Sequence, residues 1–389
     1  MAQAALRLVE GGQFATNEVE IWSSEAARDN HSLHYSIYYP QNMRPELPSY
    51  FIQRYSRKEE VVLDPFSRGG TTALEANLLG RVAYFSDISP LALKLSRSRV
   101  EPVEIVDVTL RIQQINMRRP INAGAFNEVF EPFYDIETFR ELVNLKASLS
   151  ENNDRVSRFL EHVALSLLHG QSAGYFSVYS FPQFSPGPAE QLKLNRKRGQ
   201  VPDYRSVGPR LLRRAATMLR DGIPSFLRQI ALYNQYSQCD ARDLSWLQSS
   251  TVNLVVTAPP VPESRDPRGD NWLRLWFAGL SAKQAHGNVF DGMDSWRDYM
   301  SGVLLEMARV VKPGGRVVLC FSDAERRGLP LDQEVVSLVK SGLSRYFEAE
   351  TAVVNKPRSA ALPRGFEDEE GLASQNAARS SNLVLKRRS

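Results

Sequence analysis

Cysteine is almost absent from this chain of 389 residues: only Cys239 and Cys320 occur. That scarcity excludes a disulfide framework and a cysteine-rich zinc site, and it suits a reducing, cytoplasmic setting. Histidine is nearly as scarce. The five rings, His31, His34, His162, His169 and His286, show no metal-ligand spacing beyond His31-x-x-His34. No apolar run approaches the roughly 18 residues that a membrane-spanning helix requires. The opening residues, Met1 to Glu10, lack the basic-then-apolar order of a secretory leader. There is no repeat of solenoid length and no long low-complexity tract. What remains is an ordinary mixture, 42% hydrophobic and 24% charged, enough for one large domain or two smaller ones. A net charge of +4 permits a polyanionic partner without requiring one.

Four regions differ in texture. Residues 1 to about 57 are mixed, with an aromatic cluster at Tyr35, Tyr38, Tyr39, Tyr50, Phe51 and Tyr55. Alternation of strand and helix signals follows. The run Val61 to Leu63 breaks at Asp64-Pro65 and a glycine pair, a helical pattern covers Thr72 to Leu79, and a second run, Val82 to Phe85, ends at Ser86-Asp87. Strand, turn, helix and strand within about thirty residues predict a parallel βαβ unit. Residues 103–236 interrupt the alternation with helical patterns at 137–150 and 154–169, an aromatic stretch rich in Gly, Ser and Pro at 174–188, and a basic segment. That segment holds Lys193, Arg196, Lys197, Arg198, Arg205, Arg210, Arg213, Arg214 and Arg220 against the single acid Asp203. The region is expected to be an insertion leaving one edge of the sheet. The alternation then resumes with a buried strand at 252–256, a helix at about 295–311, a turn at Lys312 to Gly315 and a strand at 316–321. A helix near 331–343 and two β-rich runs, 347–354 and 382–385, pairing as a terminal hairpin, complete the pattern.

In an open parallel sheet, ligands bind beyond the carboxyl ends of the strands. Three places carry suitable chemistry. The loop Asp64 to Thr72 offers glycines that let backbone approach a ligand, followed by the N–H groups of a helix start. Asp87 is placed to accept from both hydroxyls of a ribose. Asp240, in Cys239-Asp-Ala-Arg-Asp243, is placed to accept from an adenine amine. Each alone is more often a structural turn or a helix cap; together, in this order along the chain, they point to an adenosine-containing cofactor.

These segments resemble the S-adenosylmethionine-dependent DNA amino-methyltransferases. The likeness is carried by Asp64-Pro-Phe-Ser-Arg-Gly-Gly-Thr-Thr72, by Asp87-Ile-Ser-Pro-Leu-Ala92, by Thr257-Ala-Pro-Pro-Val261 after a hydrophobic strand, by Asp270 to Trp276, and by Ala308 to Leu319. Asn30 to Tyr39 is similar to the family's motif lining the methionine side of the cofactor. The resemblance implies an α/β fold with a doubly wound, mostly parallel, Rossmann-like sheet and a helical or irregular insertion. It divides the chain into a first half at 1–102, a target-recognition insertion at 103–236 and a catalytic-loop half at 237–389. It implies S-adenosyl-L-methionine as cofactor, held by His34, Tyr35, Asp64, Phe66, Ser67, Gly69, Gly70, Thr71, Thr72, Asp87, Ile88, Asp240 and Ala241. The reaction site falls at Thr257, Ala258, Pro259, Pro260 and Val261. Duplex DNA is the implied partner, through Lys193, Arg196, Lys197, Arg198 and Arg205, in a restriction-modification setting with a cognate endonuclease or a second methyltransferase subunit.

Three positions depart from the family pattern. Arg68 stands where the loop has its first glycine, and a side chain there is expected to crowd the cofactor or to demand a backbone angle that arginine disfavours. Ala258 replaces a polar residue that accepts a hydrogen from the target amine. Val261 replaces an aromatic that stacks on the flipped base. The lost acceptor and the lost stacking are each worth about 1–3 kcal/mol, unless Thr257, Glu263, Asp266 or a nearby aromatic substitutes. Three readings follow: an amino-methyltransferase, cytosine N4 slightly favoured over adenine N6; a degenerate methyltransferase fold serving as a DNA-binding or scaffolding subunit; and, more weakly, a methyltransferase acting on RNA or a small amine.

Overall fold

A computed structural model describes residues 15–19, 21, 30–39, 42–122, 124, 126–181, 184–262, 271–281, 290–321, 329–355 and 380–389. Its strands are β1 (Ala15–Val19), β2 (Val61–Asp64), β3 (Val82–Asp87), β4 (Gln235–Gln238), β5 (Val252–Thr257), β6 (Val311–Cys320), β7 (Phe347–Asn355) and β8 (Ser380–Arg387). Together they form one eight-stranded sheet in the order β1-β7-β8-β6-β5-β2-β3-β4. All neighbours pair in parallel except β8, which runs antiparallel to both β6 and β7. This is the doubly wound, mostly parallel sheet expected, and the two final runs do pair with each other.

Alternation along the central strands explains why they are buried on both faces. Leu63, Val255, Val317, Leu319, Leu383 and Leu385 point to one side. There they pack on α11 (Met293–Val310) and α12 (Leu331–Leu338) of a set whose earlier members are α1 (Glu46–Tyr55) before β2, α2 (Thr71–Leu78) between β2 and β3, α3 (Pro90–Val100), α4 (Ile105–Gln114), α5 (Ile136–Glu151), α6 (Arg155–Leu165), α7 (Pro188–Arg198), α8 (Val207–Met218) and α9 (Ser225–Ala231) between β3 and β4, and α10 (Trp272–Phe277) after β5. Val62, Leu254, Val256, Val318, Cys320 and Val384 point the other way, onto Phe51 and Ile52 of α1 and Ala73 and Ala76 of α2. A third core gathers the helices between β3 and β4 with α10. Leu91 and Leu95 of α3 join Phe139 and Leu142 of α5, Phe159 and Leu160 of α6, Leu211 of α8, and Leu273 and Phe277 of α10.

Three local differences from the sequence expectations stand out. β1 was not foreseen, and β4 begins at Gln235, inside the stretch expected to be insertion; it is the polar, part-exposed edge strand beside β3. Asp240 therefore follows a strand end directly. The expected turn at Lys312–Gly315 is instead an irregularity within β6. Val311 already pairs with Val252, and the register shifts before Leu254 meets Arg316. Gly315 is required there, because a Cβ would lie 2.8 Å from the Asn253 carbonyl oxygen.

Candidate functional site

Because β2, β3, β4 and β5 are mutually parallel neighbours, their carboxyl ends open on one edge of the sheet. Asp64 ends β2, Asp87 ends β3, Asp240 lies two residues beyond β4, and Thr257 ends β5. Three carboxylates thus stand at consecutive strand tips, with strands about 4.8 Å apart.

Asp64 is buried. Its Oδ1 accepts from the Thr257 hydroxyl at 2.6 Å and from the Phe66 N–H at 3.1 Å. Burial pushes its pKa up to about 6, against these hydrogen bonds and the positive field of Arg68. Asp87 accepts the Arg68 N–H at 2.8 Å on one oxygen and the Ser89 N–H at 2.9 Å on the other. Burial raises its pKa as well. Each carboxylate keeps lone pairs beyond these bonds. Asp240 is less enclosed. Arg242 holds it with two hydrogen bonds, at 2.9 and 3.1 Å, and these keep its carboxyl below the usual range. Tyr299 also hydrogen-bonds Asp240, and the Phe66 ring lies 6.3 Å from the Tyr299 ring.

The loop from β2 to α2 is tightly built. The Ser67 N–H reaches Ser86 of β3 at 3.0 Å, and Ser96 of α3 donates to the Arg68 carbonyl, also at 3.0 Å. Gly70 has φ +83°, and a Cβ there would sit 2.6 Å from the Ser96 Cα. The glycine is demanded by backbone angle and by the close approach of α3. Gly70→Ala is expected to destabilise the fold by about 2–4 kcal/mol, seen as a fall in the urea midpoint at constant slope. Thr71 and Thr72, both buried, open α2.

Arg68 has φ +48°, so the departure from glycine is met by a side chain in the left-handed region. Its Nη2 donates to the Pro259 carbonyl at 3.3 Å. That contact joins the loop after β2 to the loop after β5 across 191 residues of sequence. The neighbouring Pro260 carbonyl accepts from the Trp296 indole at 2.8 Å. Ala258 is buried, and Val261 packs into the core on one face of the sheet. Thr257 donates its hydroxyl hydrogen to Asp64 and keeps its acceptor lone pairs. Glu263, Asp266 and Asp270 lie outside the described residues.

The methionine-side motif requires revision in detail. His34 turns inward, its Nε2 at 2.7 Å from Glu75 Oε1 of α2, and burial lowers its pKa so that the ring is neutral. Its partner is a helix carboxylate rather than a ligand. Tyr35 is half exposed and accepts from Asn30 at 3.1 Å. Tyr39, absent from the expected site residues, meets the end of β3. It is buried, hydrogen-bonded to Ser89 and exposed to the fields of Asp87, Arg68 and Arg274. Asn42 was also missed; its Oδ1 accepts the Gly69 N–H at 3.0 Å. The aromatic cluster and the helix after the catalytic loop contained Tyr39 and Arg274, but polarity alone did not mark them. Ile88 and Ala241 contribute backbone at the ends of β3 and β4, the Ile88 carbonyl accepting from Gln238 at 3.4 Å.

The basic segment divides in two. Lys193, Arg196, Lys197 and Arg198 lie exposed on α7, with the Arg198 guanidinium 3.7 Å from the Tyr179 ring centre. Arg205 corrects the sequence expectation. It is buried, pairs with Asp203 at 3.0 Å and donates to the carbonyls of Tyr175 and Ser177. A guanidinium holding internal carbonyls cannot also bind a phosphate. Arg214 is likewise spent on the carbonyls of Tyr35 and Ser36. The indole of Trp272 on α10 donates to the Pro186 carbonyl at 2.8 Å, tying the helix after the catalytic loop to the approach of α7.

Two carboxylates at adjacent tips, a third beside an aromatic pair and a glycine loop form a donor and acceptor set that fits a sulfonium nucleoside carrying hydroxyls, an amine and an ammonium group. Among the described residues no cluster suits a metal ion, and no helix is long and apolar enough to cross a membrane.

Comparison with known proteins gives three findings. Residues 11–97 match the family model described as DNA methylase. No curated protein sequence matches the chain significantly. Among solved structures, TrmN from Thermus thermophilus aligns at 14% identity over 94% of this chain and 52% of its own, with a TM-score of 0.33. The chain therefore spans about half the length of that protein. An rRNA methylase from Streptococcus thermophilus aligns at 7% identity over 90% and 99%, with a TM-score of 0.34. The rRNA methyltransferase aviRa from Streptomyces viridochromogenes aligns at 10% over 95% and 96%, with a TM-score of 0.35. The strand order, not these low scores, carries the fold.

Proposed function

We propose, for a chain whose residues 11–97 carry the pattern of the DNA methylases, that this protein is an S-adenosylmethionine-dependent methyltransferase acting on an exocyclic amine of a DNA base. The observation that carries this reading is the row of Asp64, Asp87 and Asp240 at consecutive parallel strand tips, with the catalytic loop at the next tip. When bound, the cofactor supplies an electrophilic methyl group on a sulfonium. In this reading Asp87 accepts from the ribose hydroxyls, Asp240 from the adenine amine, and Asp64 faces the ammonium group. The Pro259 carbonyl accepts a hydrogen of the target amine and turns its lone pair toward the methyl group, which is catalysis by positioning. Arg68 already donates to that carbonyl at 3.3 Å and competes with the target amine for it. The small residue before Pro-Pro favours cytosine N4 slightly over adenine N6, with the target base flipped out of the duplex.

Methyl transfer from labelled cofactor to duplex DNA, with the product nucleoside identified, tests this reading; RNA and small amines serve as competing acceptors. Incorporation into DNA as N4-methylcytosine or N6-methyladenine is expected, slow in the natural chain. Absence of any incorporation by a chain that binds the cofactor overturns the enzyme.

The engaged carbonyls of Pro259 and Pro260, with Val261 buried, favour a second reading: a catalytically degenerate subunit that keeps the fold and the basic helix. Activity appearing only in the Ala258→Ser, Val261→Tyr double variant supports it.

The exposed face of α7 is the proposed DNA contact. Replacing Lys193, Arg196, Lys197 and Arg198 together by Gln is expected to weaken duplex binding across sequences. The slope of log affinity against log salt should fall by up to about 3–4, since each phosphate neutralised contributes about 0.9. Fluorescence anisotropy at several salt concentrations measures it. Arg205→Ala should instead lower stability by about 2–4 kcal/mol, because it strands buried carbonyls.

A further inference from the structure

Buried arginines in this protein are generally engaged. Arg81 reaches the carbonyls of Ser56 and Leu79; Arg99 reaches Ser36 and the Ile37 carbonyl; Arg205 and Arg214 bind the carbonyls already described. Arg274 is different. It is 4% exposed, and its hydrogen bond among the described residues runs from Nη1 to Oδ1 of Asn271, the residue before its own helix, at 3.0 Å; its Nε has no partner, as is true of Arg99 Nη1, but Arg99 is bonded to another segment of the chain and Arg274 is not. Among the described residues no carboxylate pairs with it.

Among the described residues, tyrosines and neutral histidines surround it. Tyr38 and Tyr39 approach from the segment before α1, and Tyr175 from the insertion. His162 and His169 also feel its charge. Both rings are already engaged: His162 with Ser98 at 2.6 Å and Ser36 at 2.8 Å, and His169 with the Phe181 carbonyl at 2.7 Å and Ser185 at 3.0 Å. Burial keeps both neutral. An isolated guanidinium removed from water is costly unless an anion or strong acceptors meet it. Its location is informative, because the buried Tyr39 hydrogen-bonds Ser89 just after the β3 tip and feels the charges of both Asp87 and Arg274.

We infer that Arg274 is a ligand-binding residue of this site, receiving the carboxylate at the amino-acid end of S-adenosylmethionine while Asp87 holds the ribose. The inference rests on the proposed cofactor. A carboxylate accepts two hydrogen bonds from one guanidinium, which suits a donor with an unused Nε edge. Phosphate of a nucleic acid would supply the same chemistry, and the test separates the two sources.

The test is calorimetric titration of the full chain with S-adenosylmethionine and with its decarboxylated analogue, which keeps the sulfonium, the nucleoside and the amine. The natural chain should bind the complete molecule about 10- to 100-fold more tightly. Arg274→Gln should lose that preference while still binding the analogue, and Arg274→Lys should retain part of it. A short duplex titrated by anisotropy should bind Arg274→Gln as it binds the natural chain. Equal affinity of the natural chain for both nucleosides overturns the carboxylate assignment and leaves the cofactor reading intact. Weakened duplex binding by a folded Arg274→Gln that still prefers the complete nucleoside assigns the guanidinium to phosphate instead, and also overturns it. No binding of either nucleoside overturns the cofactor reading and this inference together. The comparison on the natural chain does not depend on the variants folding.

Discussion

Arg68→Gly is expected to raise methyl transfer by about 10- to 100-fold. Arg68 occupies a left-handed backbone position and directs its guanidinium onto the Pro259 carbonyl, the atom proposed to orient the target amine. Freeing one such acceptor corresponds to about 1–3 kcal/mol of positioning. Glycine takes φ +48° without strain, so the substitution should also raise stability by about 0.5–1 kcal/mol, provided that the Arg68–Pro259 bond contributes little. Its amide N–H still reaches Asp87, so the loop is preserved. Single-turnover rates with labelled cofactor, alongside urea midpoints, separate the two effects. A stable Arg68→Gly variant with unchanged rate would show that the guanidinium does not obstruct the reaction site.

Asp64→Asn should make the protein more stable at pH 8 while weakening its affinity for the cofactor by about 10- to 100-fold. Burial raises the carboxyl from an ordinary 3.8 to about 6. For an acid with a raised folded-state pKa, the folded state binds the extra proton. Its stabilising contribution is complete below pH 3.8 and is lost as pH rises through 6. The loss is on the order of 2–3 kcal/mol, at 1.36 kcal/mol per unit. Asparagine is nearly isosteric and still accepts from Thr257 and Phe66, but never ionises. The difference in unfolding free energy between variant and natural chain should therefore be small at pH 4 and grow up to pH 7. Cofactor binding moves the other way, because an ammonium group favours the ionised carboxylate; affinity of the natural chain should fall as pH drops below 6. Equal pH dependence in the two chains would show that Asp64 does not titrate in this range.

Much of the frame was legible in the residues. The apolar runs at 61–63, 82–85 and 252–256 are buried on both faces, and such strands announce themselves without neighbours. Asp64 and Asp87 were readable because the chain breaks immediately after those runs. The edge strands were not: β4 consists of Gln235, Tyr236, Ser237 and Gln238, and its pairing with β3 is a backbone property that leaves little hydrophobic trace. The fate of individual charges was least accessible. Arg205 and Lys197 look alike in sequence, yet one holds carbonyls in the interior and the other faces water. The Arg68 angle was anticipated from the missing glycine; its reach to Pro259 depends on β2 and β5 being neighbours, which spacing does not reveal. His34 shows the converse, a motif residue whose ring the fold commits to Glu75.

The central claim is that the tips of β2, β3 and β4 bind the sulfonium nucleoside. Isothermal titration of the natural chain with S-adenosylmethionine at neutral pH tests it most directly, with Asp87→Ala as control. One site per chain with a Kd of about 1–100 μM is expected, weakened at least tenfold in Asp87→Ala; a folded chain giving no binding heat at millimolar nucleoside, at two temperatures, would contradict it.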